Sequence, residues 1–237
     1  MISVITCTNK QDCLSTILQN YMRQTWQHKE LILILNNDDL DFDEWKQSLS
    51  HIPNISIYQL SQEKTLGECL NYGVSKSKYN YIAKFDDDDY YSKHYLKDSI
   101  RTLRESQAKV VGKTTIYMYF EEDQSLQLYN PYKYAPDSEK ISENQYDRKV
   151  MMGGTLFFEK KIQRVVPFQS TSIGEDAKFC EDCLNNDIPI YSGSKDNYVY
   201  IRKSNDAHTW KIQNQKLRRF CTHLIKTDHF QAYLFDE

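Results

Sequence analysis

Tyr81-Ile-Ala-Lys-Phe-Asp-Asp-Asp-Asp-Tyr-Tyr91 is the stretch around which the rest of the chain is organised. Tyr81, Ile82, Ala83 and Phe85 make a short, largely apolar run that reads as a buried strand, and it stops in four consecutive carboxylates, Asp86 to Asp89. Neighbouring carboxylates repel by about 1 kcal/mol in water, and by several times that where the effective dielectric falls to about 20. Four of them at the end of a buried strand call for a compensating cation. A hard divalent ion with oxygen ligands, Mg²⁺ or Mn²⁺, suits this donor set. The alternative is a solvated acidic turn. The position favours the ion, because open α/β sheets bind ligands at the carboxyl ends of their strands.

Upstream, Ile2-Ser-Val-Ile-Thr6 is a β-branched run that reads as the first strand, and polar turn residues follow, with Asp12 the expected N-cap of a helix. Leu14, Ile17, Leu18, Tyr21 and Met22 then recur at helical spacing. Glu30-Leu-Ile-Leu-Ile-Leu35 has the near-continuous apolar character of a parallel strand covered on both faces, and it ends in Asn36-Asn37-Asp38-Asp39. A short helix from Asp43 to Leu49, a strand from Ile55 to Leu60 and a capping-box pair, Thr65 and Glu68, opening another helix complete this half. Strand and helix alternate four times, the pattern of a parallel sheet. Right-handed crossovers put the strand ends on one edge. Thr8, Asn36, Lys64 and Asp86–Asp89 are therefore expected to face one crevice.

Downstream the character changes. A helix from about Lys93 to Glu105 leads into Val110–Phe120, where Ile116, Met118 and Phe120 alternate with Tyr117 and Tyr119, as in one strand with two unlike faces. Residues 121–150 are polar and tyrosine-rich, with Pro131 and Pro136, and read as a long loop: a lid, a binding element or a disordered segment. Tyr117, Tyr119, Tyr129, Tyr132 and Tyr134 either offer flat faces to a sugar or are exposed loop tyrosines. Gly153–Phe158 reads as a strand that permits close backbone approach at its start, and Gly174-Glu-Asp176 opens a helix to about Leu184. Short strands are expected at Ile188–Tyr191 and Tyr198–Ile201, then a polar loop from Arg202 to Trp210. From Lys211 onward the chain reads as largely helical. There Leu217, Phe220, Leu224 and Ile225 beside Lys216, Arg218, Arg219 and Lys226 describe a basic amphipathic helix, which lies on a membrane surface or packs against the core or a second subunit.

The 237 residues suffice for one substantial core, and a formal net charge of −3 implies no general attraction to nucleic acid. No apolar run is long enough to span a bilayer, and Met1-Ile-Ser-Val-Ile lacks signal-peptide anatomy, so a cytoplasmic location is expected. The six cysteines agree with that compartment. Cys180 and Cys183 form a C-x-x-C pair with no second pair to complete a zinc site, which favours small buried residues.

The motifs together resemble family 2 glycosyltransferases of the GT-A fold. Ile2–Lys10 is similar to that family's opening strand and loop, Gln24-Thr-Trp26 to the end of its first helix, and Leu66-Gly-Glu-Cys-Leu-Asn-Tyr-Gly73 to its third helix. Phe85-Asp-Asp-Asp-Asp89 resembles its D-x-D motif, Gly174-Glu-Asp176 the segment with its catalytic base, and Asn205–Trp210 its C-terminal active-site loop. The resemblance implies a single α/β domain over 1–237: a Rossmann-like mixed sheet with helices on both faces. Residues 1–110 would form the nucleotide-sugar half, 111–210 the acceptor half and 211–237 a helical C-terminal segment.

The resemblance also implies an inverting, metal-dependent transfer of a sugar from a nucleoside diphosphate donor to a saccharide or other hydroxyl acceptor. Asp86 and Asp88 are then the D-x-D pair, Asp88 a direct ligand of Mn²⁺ or Mg²⁺, and Asp86 nearer the ribose or reaching the ion through water; Asp87 and Asp89 stand in reserve. His208 is a further metal or diphosphate contact, or else a solvent-exposed loop histidine. Asp176 is the expected base, with Glu175 second; without the resemblance, both would simply charge a helix N-terminus. Thr8, Asn36 and Lys64 complete the donor contacts, Lys64 being otherwise a solvated surface group. Asn36 stands near the place where the family usually has an acidic residue for the base N3–H, which leaves uridine, thymidine, guanosine and cytidine donors open. Bacterial surface or spore polysaccharide is the acceptor class to try first. A nucleotidyltransferase would need a glycine-rich loop after the first strand, and Thr6–Gln11 has no glycine. A non-catalytic sugar-nucleotide-binding protein on the same fold is the other alternative.

Overall fold

A computed structural model describes residues 1–136, 142–146, 151–203 and 210–234. The first half is built as expected from strand–helix units. Strands β1 (Ile2–Thr8), β2 (Lys29–Leu35), β3 (Ile55–Gln59) and β4 (Tyr81–Lys84) lie parallel in the order β3-β2-β1-β4. Helices α1 (Leu14–Met22), α2 (Phe42–Leu49) and α3 (Leu66–Lys76) connect them. The apolar run of β2 is explained by its two faces. Leu31, Leu33 and Leu35 join Ile17, Tyr21 and Trp45 in one core cluster, while Ile32 and Ile34 join Cys69, Leu70 and Val74 in the other. The five side chains from Leu31 to Leu35 are fully buried, each contributing about 1.5–3 kcal/mol of apolar burial.

The second half adds β5 (Tyr90–Tyr91), α4 (Tyr95–Ser106), β6 (Val110–Gly112), β7 (Ile116–Phe120), β8 (Ser125–Tyr129), β9 (Gln145–Tyr146), β10 (Phe157–Glu159), β11 (Ile190–Ser192), β12 (Tyr198–Arg202) and β13 (Cys221–Lys226). Strands β10, β6, β11 and β9 extend the first sheet to eight strands, with β10 antiparallel to both β4 and β6. The other five strands form a second sheet in the order β13-β8-β7-β12-β5.

Three expectations for this half are corrected. Val110–Phe120 is not one strand: β6 and β7 belong to different sheets, and the chain crosses between them at Lys113–Thr115. There side chains take over from ladder partners, as Lys113 N–H donates to Thr155 Oγ1 at 2.9 Å and Thr114 N–H to Ser192 Oγ at 3.0 Å. Within 121–150, Ser125-Leu-Gln-Leu-Tyr129 is a strand paired antiparallel to β7, reached through a turn in which Gln124 takes a left-handed φ of 53°. The stretch from Lys211 onward is not largely helical. Cys221–Lys226 is an edge strand on β8, and among the described residues only Asn214–Arg218 and Phe230–Leu234 are helical. The open edge of β8 outweighs local helical spacing here, so the basic amphipathic helix, and the membrane-surface reading built on it, lose their basis.

Smaller features sort likewise. The capping box of Thr65 and Glu68 is formed in full, whereas Asp12 lies inside a short 3₁₀ turn and caps nothing. All six cysteines are free; Cys180 and Cys183 are buried in the second core cluster, as core residues rather than a zinc pair. Among the described residues, no helix is long and apolar enough to cross a membrane.

Asp89 joins the two sheets. It is buried, its Oδ1 accepts from Ile201 N–H at 3.0 Å and its Oδ2 from the Tyr198 hydroxyl at 2.5 Å, both on β12. Truncation would leave both donors unpaired in the interior. Asp89→Ala is expected to lose about 2–4 kcal/mol of stability in urea unfolding; a loss within about 0.5 kcal/mol, the range of ordinary surface substitutions, would show that the junction does not depend on it.

Candidate active site

The ends of β1 and β4 bring the acidic cluster into contact with two lysines. The Thr8 hydroxyl, at the end of β1, donates to Asp87 Oδ2 at 2.5 Å. Two residues on, Lys10 Nζ lies 3.1 Å from Asp87 Oδ1 and 2.7 Å from Asp88 Oδ2. Lys84, the last residue of β4, is buried, with its Nζ 2.5 Å from Asp86 Oδ1 and 4.0 Å from Glu175 Oε1. Burial lowers the pKa of each ammonium, but the facing carboxylates more than offset this, and both lysines are held above the usual lysine range. Burial pushes the Asp87 carboxyl up, the charge of Asp88 adds to that, and Lys10 and Thr8 oppose it. The four aspartates thus occupy distinct environments: Asp86 on Lys84, Asp87 and Asp88 on Lys10, and Asp89 locked into the second sheet.

A second carboxylate pair approaches from the helix Glu175–Asn185, whose N-cap Gly174 has the left-handed φ of 76° that glycine tolerates best. Glu175 points inward and is buried, and burial raises its pKa despite the pull of Lys84. Asp176 is half-buried, its Oδ1 accepting from Ala177 N–H at 2.7 Å. The turn Gly153–Thr155, leading into β10, passes between the two carboxylate groups. A Cβ placed on Gly153 would lie 2.3 Å from Asp176 Oδ2, and one on Gly154 would lie 2.8 Å from Asp86 Oδ2. Tyr91 fastens this turn to the acidic stretch: its hydroxyl accepts from Asp86 N–H at 2.7 Å and donates to the Gly154 carbonyl at 2.7 Å.

Of the other expected residues, Asn36 is adjacent to β1, its N–H donating to the Thr8 carbonyl at 2.8 Å and its side-chain amide to the Ser61 carbonyl at 2.8 Å. Lys64 pairs instead with Glu68, at 2.9 Å on the surface. His208 lies outside the described residues. A cleft of about 570 Å³ runs along α4, lined by residues such as Trp26, His94 and Arg101 and by none of Asp86–Asp89; the carboxylate chemistry, not cavity size, marks the site. Among the described residues no three His, Cys, Asp or Glu side chains converge into a metal cage. The oxygen donors of Asp86 and Asp88 nonetheless fit Mg²⁺ or Mn²⁺, since a small hard ion of this kind is usually held by one or two carboxylates plus substrate phosphates.

The model of the family described as glycosyl transferase family 2 matches residues 3–163. The chain belongs to that family. It is 30% identical over 167 residues to the O-antigen biosynthesis glycosyltransferase WbnJ of Escherichia coli, across 68% of this chain and 63% of that protein. The crystal structure of S. aureus TarS 1–349 superposes with a TM-score of 0.63 at 18% identity, covering 86% of this chain and 61% of that one. The same protein in complex with UDP-GlcNAc gives 0.64 at 16% identity, covering 85% and 58%. The mixed sheet is thus of the GT-A type. The chain spans about three-fifths of the length of these relatives.

The family match includes the aspartates, both lysines and the Gly153–Gly154 turn, and ends before Glu175. Lys10, Lys84 and Tyr91 went unnoticed in the sequence reading, although signals for two of them exist. Lys84 is a cation inside an apolar strand two residues before Asp86, and so on the same face in extended chain. Lys10 follows a strand whose end was already expected on the crevice. Tyr91 carried no signal, because its role depends on the Gly154 carbonyl 63 residues away in sequence. Lys84→Met would leave Glu175 buried without its cation, and a loss of about 3–5 kcal/mol is expected in thermal or urea unfolding. Lys84→Met with Glu175→Gln should recover part of that loss; no recovery would mean that Lys84 stabilises through Asp86 or by packing rather than through Glu175.

Proposed function

We propose that this family 2 member transfers a sugar, with inversion, from a nucleoside diphosphate donor to a hydroxyl of a saccharide acceptor, using Mn²⁺ or Mg²⁺. The observation that carries this reading is the approach of two unlike carboxylates to one turn: Asp86 Oδ2 against Gly154, and Asp176 Oδ2 against Gly153. Asp88 is the direct ion ligand and Asp86 its partner toward the ribose, with His208 as a further contact. When bound, the ion supplies Lewis-acid neutralisation of charge developing on the departing diphosphate. Asp87, Thr8 and Asn36 hold the donor, and Lys64 joins them only on release from Glu68. Asp176 takes the proton of the acceptor hydroxyl while its oxygen bonds to the anomeric carbon, and the broken bond's electron pair leaves with the diphosphate. Such a base contributes about 10²–10⁴-fold.

UDP-sugars are the donors to test first. The TarS structure was solved with UDP-GlcNAc and, separately, with UDP. Asn36 supports the same choice: its amide donates to Ser61, so its carbonyl oxygen is the atom left to accept from uracil N3–H. The name of WbnJ supports a bacterial surface polysaccharide as acceptor.

Thermal unfolding with UDP, dTDP, GDP and CDP, each with and without Mn²⁺, tests the reading directly. A ligand at a hundred times its Kd adds about 2.7 kcal/mol to the folded state, and UDP is expected to stabilise only with the ion. Asp88→Ala should lose that shift, whereas Asp176→Asn should keep it and lose turnover by about 10²-fold or more. A protein stabilised by none of the four nucleotides would overturn the proposal, and equal loss of binding in the two variants would overturn the division of roles.

A further inference from the structure

We propose that Gly153 and Gly154 are positioning residues that act on opposite halves of the reaction, Gly153 seating the carboxylate of Asp176 and Gly154 that of Asp86. This rests on the transferase reading above. The turn that carries them cannot retreat. Thr155 N–H donates to the Met152 carbonyl at 2.9 Å, Met152 N–H to the Lys113 carbonyl at 2.9 Å, and Lys84 N–H to the Leu156 carbonyl at 2.9 Å. Any side chain added at either glycine must therefore displace what faces it.

What faces them differs from an ordinary packing glycine. A Cβ on Gly73 of α3 would strike the Ile5 methyl Cγ2 at 2.7 Å, a helix-to-sheet contact between apolar groups. The three atoms nearest a Cβ on Gly153 all belong to Asp176: Oδ2 at 2.3 Å, Cγ at 3.0 Å and Cβ at 3.1 Å. A Cβ on Gly154 would meet Asp86 Oδ2 and the Tyr91 hydroxyl, each at 2.8 Å. Tyr91 is fully buried and stacked on Phe85 at 3.8 Å between ring centroids, whereas the Asp86 side chain is 33% exposed, so Asp86 is the group that yields. Gly174 is the one glycine with a positive φ, so alanine at 153 or 154 fits the backbone. At Gly153 the methyl swings the Asp176 carboxylate aside; at Gly154 it swings Asp86 aside and also presses on the Tyr91 hydroxyl, which must give by a few tenths of an ångström.

The two neighbours should then fail in different ways. Gly153→Ala is expected to keep Mn²⁺-dependent UDP affinity within about twofold of the unaltered protein and to lower kcat by about 10²-fold, the cost of a misplacement near 1 Å. Gly154→Ala should weaken Mn²⁺-dependent UDP binding about tenfold or more, as loss of support behind a ligating group does. UDP titrations by calorimetry and steady-state turnover of the nucleoside diphosphate sugar that the unaltered protein uses read the split. Equal losses of affinity and kcat in the two variants would overturn the proposal. Unaltered protein that binds UDP and Mn²⁺ but turns over no sugar donor would overturn the transferase reading itself, and the proposal with it. If Gly153→Ala does not fold, Gly153→Ala with Asp176→Ala removes the two nearest atoms, Oδ2 and Cγ, and leaves only the 3.1 Å approach to Cβ, so the double variant should fold and melt close to the unaltered temperature. Failure of that double variant to fold would make the turn structural and end the argument.

Discussion

The rest of this structure depends on the crowding of carboxylates at the end of one buried strand. Four adjacent aspartates cannot all keep their charge in a half-buried position unless cations or donors meet them. The chain supplies these from three directions. Lys84 comes from the strand itself, Thr8 and Lys10 come from the end of the neighbouring strand β1, and the β12 donors close on Asp89. Each demand is met by a different element, so satisfying the cluster also fixes how those elements sit. The parallel pairing of β1 with β4, the docking of β12 and the approach of the helix Glu175–Asn185 toward Lys84 all converge on a stretch of six residues.

That convergence explains which parts were legible in the sequence. The first half was, because each strand and helix there buries its own face in a regular period: Leu31–Leu35 alternates between two core clusters, and the capping box of Thr65 and Glu68 marks a helix start within four residues. In the second half the helices Tyr95–Ser106 and Glu175–Asn185 and the strands Ile190–Ser192 and Tyr198–Arg202 were legible too, but elements set by partners distant in sequence were not. Val110–Phe120 looks like one strand until Thr155 and Ser192 take up the backbone donors at 113 and 114 and the chain passes between sheets. Cys221–Lys226 has helical spacing, but its backbone lies on the open edge of β8, about 100 residues earlier in the chain.

The site divides in the same way. The aspartates and the Gly174–Asp176 helix start were visible as residue types at the ends of predicted elements. The fixed cations had signals of their own at Lys10 and Lys84, but a divalent ion alone answers the electrostatic demand of the bare sequence. Lys10 and Lys84 answer a large part of it within the protein, so under the proposed reading the ion completes the site, and the cluster does not wait unpaired for it. The four aspartates also turn out to be unequal: Asp89 has both oxygens engaged by β12 and belongs to the fold, while Asp86 and Asp88 face lysine ammonium groups.

Environment also separates Glu175 from Asp176, which residue type alone left ranked but unresolved. Glu175 is 5% exposed and faces the Lys84 ammonium. A buried carboxylate turned toward a fixed cation has neither a path to an acceptor hydroxyl nor freedom to change its charge without disturbing that pair. Asp176 is one residue further along the helix, so it points in a different direction, and it is half-buried. Its Oδ1 accepts from a backbone N–H at the helix start, and its Oδ2 is turned to Gly153. Under the proposed reading, a base for the acceptor must be accessible and held apart from the donor's cations. Of the two carboxylates Asp176 fits both conditions, and Gly153, with no side chain, leaves room for it there.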